Sequence, residues 1–234
     1  MSDRITRKDL RTDKFAIAVE HNVEYVAEHR AQVIRYGLIG LAVILIGAAM
    51  YFYRSYQHNV REEKLADAIQ VQETNVQPGV QPGPLAFPTE DAKRAAAIKV
   101  FSDVAAEYPS AREGLIAQYY LGCIATDAGK LDEARKRFQS VADSGDKDYA
   151  SPAKLSLSGV NFSENRNADG EKLLRDLIAH PTILVSKEQA TISLARQYAT
   201  TNPAEARKLL EPLTAQPGGA SQAAVQVLGE MQAQ

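Results

Sequence analysis

Residues 97–141 read AIKVFSDVAAEYPSAREGLIAQYYLGCIATDAGKLDEARKRFQSV, and their spacing decides the fold. Ala97 stands four residues before Phe101 and seven before Val104, with Pro109 beyond. The same order returns as Ala134, Phe138 and Val141. Residues at i, i+4 and i+7 share one face of a helix, so both stretches read as amphipathic helices. Leu121 and Gly122 lie in a further helix between them, and Gly129 stands where a tight turn needs a residue without a Cβ. Gly122 and Ala134 are small enough for two antiparallel helices to approach closely. Phe138 then fills the gap to the next unit, and a proline past the second helix stops it.

The motif recurs along the chain. Leu155, Leu157 and Ser158 open a third unit, with Gly170, Leu174, Leu177 and Pro181 in its second helix. Leu194, Ala195 and Tyr198, then Ala206, Leu210, Leu213 and Pro217, form a fourth whose turn is one residue short, around Asn202-Pro203. The small positions 97, 134, 170 and 206 are spaced by 37, 36 and 36 residues. This pattern resembles the tetratricopeptide helix–turn–helix unit. The expected fold is all-α: a tetratricopeptide-like α-solenoid over residues 90–234, ended by a polar-faced cap at 219–232.

Upstream, residues 58–74 read as a helix, either continuing an anchor or opening the first repeat. Pro78, Gly79, Pro82, Gly83, Pro84 and Pro88 then give an irregular loop, so 54–89 form a juxtamembrane helix and a Pro/Gly-rich connection. Before it runs GLIGLAVILIGAAMYFY, Gly37 to Tyr53, bracketed by Arg35 and Arg54 with no charge between. The 18 residues separating those arginines span roughly 27 Å as a helix, close to the hydrocarbon thickness of a bilayer. Tyr36 at one end and Tyr51, Phe52 and Tyr53 at the other suit the two interfaces. No small-residue cleavage site and no cysteine follows, so the run reads as a single-pass transmembrane helix over 37–53 rather than a removed signal or a lipoprotein leader.

Residues 1–36 form a charged head. Its stretch 14–34 is expected to be an amphipathic helix with Phe15, Val19, Val23, Val26 and Val33 on one face, capped by Thr12 or Asp13. The head carries seven Lys/Arg and the 36 residues after the run carry three. The positive-inside rule therefore expects a cytoplasmic N-terminus and a body on the other side.

The net charge of −2 implies no basic surface for nucleic acid. The lone cysteine, Cys123, reads as a small packing residue and does not settle the compartment. No metal constellation is read from His21, His29, His58 and His180. No phosphate loop, nucleophile elbow or dinucleotide fingerprint is present. Asn161-Phe162-Ser163 matches a glycosylation sequon, a frequent chance match. No catalytic residue, cofactor, metal or small-molecule substrate is expected, so the protein is not read as an enzyme.

A stacked array has a concave face lined by the first helix of each pair. The repeat register places Tyr119, Cys123 and Asp127 there from one unit, Leu155 and Phe162 from the next, and Ile192 and Arg196 from the fourth. Such a mixed surface suits an extended or helical peptide. The layout as a whole, a charged head, one span and a helical-repeat body, resembles tetratricopeptide-like bacterial inner-membrane proteins of the YfgM type. The resemblance implies a periplasmic body associated with the SecYEG translocon and periplasmic chaperones, serving as a membrane-tethered interaction scaffold. Two other readings remain open: a structural subunit of another envelope complex, and a cytoplasm-facing membrane-tethered regulator.

Overall fold

The structure is a computed structural model. It describes residues 30–79, 81, 86–146, 148–215 and 218–232. The head helix expected over 14–34 lies outside the described residues up to position 29. From Arg30 onward the chain is helical. The chain divides into two units, 1–59 and 60–234.

Helix α1 runs Arg30–Glu73 without a break. In the first unit it carries the apolar run, and none of its most apolar stretch is buried. The core helix of a soluble protein covers such residues, whereas Leu38, Val43, Ile44 and Ile46 each expose 60 % or more of their surface. By length and composition this is a helix able to cross a membrane. Around Gly37, Gly40 and Gly47 there is open space.

The second unit opens with the last part of α1, where Leu65 and Ala68 are buried. They join a core cluster with Ala97, Phe101, Val104, Ile116 and Leu121. The C-terminal part of α1 thus serves as the first helix of the first repeat. The loop that follows is closed at its base. Gln77 N–H donates to the Phe87 carbonyl (2.8 Å) and Phe87 N–H to that of Asn75 (3.1 Å). Phe87 is buried. Thr89 then caps α2, Glu90–Glu107, accepting from Ala92 N–H, with Glu90 and Asp91 in the first turn where the helix dipole favours acids.

The pairs continue as α3 (Arg112–Asp127) with α4 (Leu131–Ala142), α5 (Ala150–Ser163) with α6 (Asn167–Ala179), and α7 (Lys187–Thr201) with α8 (Pro203–Thr214). Helix α9, Gly219–Gln232, packs on both α7 and α8. Each helix contacts the next in sequence from α2 to α9. No β-strand occurs among the described residues, only an isolated bridge between Val76 and Phe87. The fold is an all-α helical repeat, preceded in the sequence by one apolar helical stretch.

The second helices obey the predicted register closely. The small positions Ala97, Ala134 and Ala206 are wholly buried, and Gly170 is buried with them. Four residues on, Phe101, Phe138, Leu174 and Leu210 are at most 1 % exposed, and seven on come Val104, Val141, Leu177 and Leu213, all buried. Burying four such faces against neighbours supplies the main stabilisation, on the order of 1.5–3 kcal/mol per large side chain.

Two turns share one geometry 36 residues apart. Gly129 has φ +70° and Asn165 has φ +61°. At the first, Gly129 N–H donates to Thr126 (2.9 Å) and Lys130 N–H to Ala125 (2.8 Å). At the second, Asn165 N–H donates to Phe162 (3.0 Å) and Arg166 N–H to Asn161 (2.8 Å). Both are Schellman closures, which require a left-handed residue that glycine, or less easily asparagine, supplies. The fourth unit dispenses with that residue. Asn202 caps α8 directly and Pro203 occupies its first turn, where a missing N–H costs nothing.

Candidate functional site: the inner face of the array

The projected groove residues fall into separate groups. Tyr119 and Cys123 lie together, half-buried, against a cluster containing Phe138, Leu157 and Val160. The Tyr119 ring is 6.0 Å from Tyr120, 5.6 Å from Phe138 and 5.7 Å from Tyr149. Phe101 stacks on Tyr120 at 4.8 Å. Burial pushes the Tyr119 phenol above its ordinary value. Burial likewise pushes the Cys123 thiol up. A thiol so placed is a poor nucleophile at neutral pH.

Asp127, the last residue of α3, is exposed and lines a small hollow of about 120 Å³ with Lys93, Arg94 and Ile124. Leu155 and Phe162 pack on the cluster of Leu174, Leu177, Val185 and Leu194. The Phe162 ring stands over Gly170, where a built Cβ would come within 2.7 Å of it. Ile192 is buried and Arg196 exposed, and both line a hollow of about 380 Å³ between α7 and α9 with Gln189, Ser193 and Ala220.

Several features went unread in the sequence. Tyr120 and Tyr149 extend the aromatic patch round Tyr119; their i+1 spacing and inter-helix separation from it carry no periodic signal. Glu113, at the start of α3, is buried and meets Arg61 of α1 at 3.2 Å. Asn161 is 4 % exposed inside α5, which removes the sequon as a glycan acceptor.

Helix pairs stacked one after another define a helical-repeat array. The chain belongs to the tetratricopeptide repeat-like domain family, whose model matches residues 29–181. Members of this class are typically protein-interaction modules rather than enzymes. No curated protein and no solved structure matches the chain. The matched stretch includes α1 and the first three helix pairs, and stops before α7.

Proposed function

We propose that this protein is a membrane-anchored protein–protein interaction scaffold of the YfgM type. Its head faces the bacterial cytoplasm, its span crosses the inner membrane, and its array lies in the periplasm. There it holds exported clients or periplasmic chaperones beside the SecYEG translocon. Tethering raises the effective concentration of whatever the array binds at the membrane, without any new contact. The observation that carries the reading is that one family match runs through both the apolar helix and the repeats. Anchor and array thus belong to one design. The seven Lys/Arg before the apolar run against three after it support the orientation.

The test is a photo-crosslinking residue at Arg196, exposed on the inner face, in the full-length protein in native membranes. Capture of translocon subunits, exported clients or periplasmic chaperones is the expected result. Capture of cytosolic proteins alone overturns the orientation and the translocon role together.

A further inference from the structure

In three of the four units a polar strap crosses from first helix to second. Lys64 donates to Glu107. Arg137 Nη1 donates to Gln118 Oε1 at 2.8 Å, and Lys154 Nζ to Asp176 Oδ2 at 2.7 Å. The first-helix members Lys64, Gln118 and Lys154 hold one register. Each stands four residues before a small buried residue: Ala68, Gly122 and Ser158.

In the fourth unit the small buried residue is Ala195, which puts Thr191 in the strap position. Its hydroxyl turns back to the Lys187 carbonyl of its own helix, 2.7 Å away. Asp176 is replaced, 36 residues on, by Pro212, which has no polar side chain. A threonine so engaged and a proline cannot make the strap. A cleft of about 440 Å³ opens there, with Thr191 and Pro212 in its wall.

The floor of the cleft is apolar: Ile178 from α6, Leu209 and Leu213 from α8. Its rim holds Arg175, Lys187 and Lys208 against one carboxylate, Glu188. Arg175 is held in place by Glu171 at 2.7 Å and by the Tyr198 hydroxyl at 3.2 Å. Lys208 lies 3.6 Å from Glu205. Both carboxylate partners stand outside the cleft. The loop joining α6 to α7 carries Ile183, which is 99 % exposed.

We propose that this cleft docks an acidic amphipathic helix of a partner protein. Its apolar stripe lies on Ile178, Leu209 and Leu213, and its carboxylates face Arg175, Lys187 and Lys208. Cleft walls made of helices offer no strand edge, so an extended segment would find no ladder for its backbone. A helix satisfies its own N–H and C=O groups and needs only side-chain contacts. Guanidinium and ammonium groups over an apolar floor favour carboxylates through charge-assisted bonds. This inference deepens the scaffold reading and rests on it.

The test uses the full-length protein in detergent and a fluorescein-labelled helical peptide with leucine on one face and glutamate on the other, read by anisotropy. A lysine-for-glutamate copy is the control. The acidic peptide is expected to bind at least roughly tenfold more tightly than the basic one. Lys187→Glu with Lys208→Glu should reverse that preference. Thr191→Lys with Pro212→Asp rebuilds the strap of the third unit and should abolish binding, while circular dichroism shows the helices retained. If that pair fails to fold, Thr191→Leu fills the cleft instead. Equal binding of the two peptides overturns the proposal, as does unchanged binding by the filled cleft. Loss of a concentration-dependent dimer on filling the cleft, with no peptide bound by the parent, also overturns it by assigning the cleft to a second copy of this chain. Crosslinking at Arg196 to cytosolic proteins alone would sink the translocon reading and leave the peptide result standing.

Discussion

The ring of Phe138 occupies the space that a side chain on Gly122 would need: a Cβ built on Gly122 falls 2.7 Å from the ring. One unit later the arrangement is exchanged, with Phe162 on the first helix and Gly170 on the second. These two pairs close by setting an aromatic ring against bare backbone, and either helix can contribute the ring.

Gly122→Leu should therefore force α3 and α4 apart. Overpacking of this kind costs roughly 1–3 kcal/mol. A thermal melt of the full-length protein in detergent should shift down by a few degrees. An unchanged melting temperature would show that the ring does not stand against Gly122.

Asn165 holds a left-handed turn at φ +61°. Asn165→Ala places a Cβ in that conformation without asparagine's local hydrogen bonding, and should cost about 1 kcal/mol. Asn165→Gly should leave stability within a few tenths of a kcal/mol or raise it slightly. Denaturant midpoints of the two variants check the order, which would be reversed if the turn were not left-handed.

The hydrogen bond from Lys154 holds the Asp176 carboxyl below the ordinary value of 3.8, and His180 adds to the effect. A carboxylate with a depressed folded-state pKa stabilises the fold above its unfolded pKa, and that contribution is lost as pH falls through the folded value. Lys154→Met should be less stable than the parent at neutral pH. The gap should close as pH drops below 3.8. Unfolding midpoints measured across that range test the strap directly, and a gap independent of pH would rule out its ionic character.

Cys123 is half-buried and burial raises its thiol pKa. Alkylation of the native protein at neutral pH should run far more slowly than that of the denatured chain, and should accelerate as pH rises. Equal rates in the two states would place the thiol in solvent.

The second helices were legible because a small residue, then an apolar one four and seven places later, must be buried for the pairs to close. Ala97, Ala134, Gly170 and Ala206 obey this without exception. The first helices were legible less evenly. The short connection at Asn202-Pro203 moves α7 by one residue, and the sequence already puts Leu194 in the place of Leu157. Phe162 fitted the groove register, yet its ring turns to Gly170 because a glycine there leaves room. The cleft beside Thr191 was illegible for another reason. It depends on what Thr191 and Pro212 fail to do across two helices, and no single segment reveals a missing contact.

Helix α9 packs on α7 and α8, as α5 packs on α3 and α4. It therefore occupies the place of a first helix in a further pair. Length in this architecture is set by where a terminal surface turns polar, not by any closure of the chain upon itself. The body can grow in whole modules. A copy of residues 150–185 spliced in before Ser186 should meet complementary faces on both sides and be absorbed as one more rung, lengthening the inner face without redesigning either end.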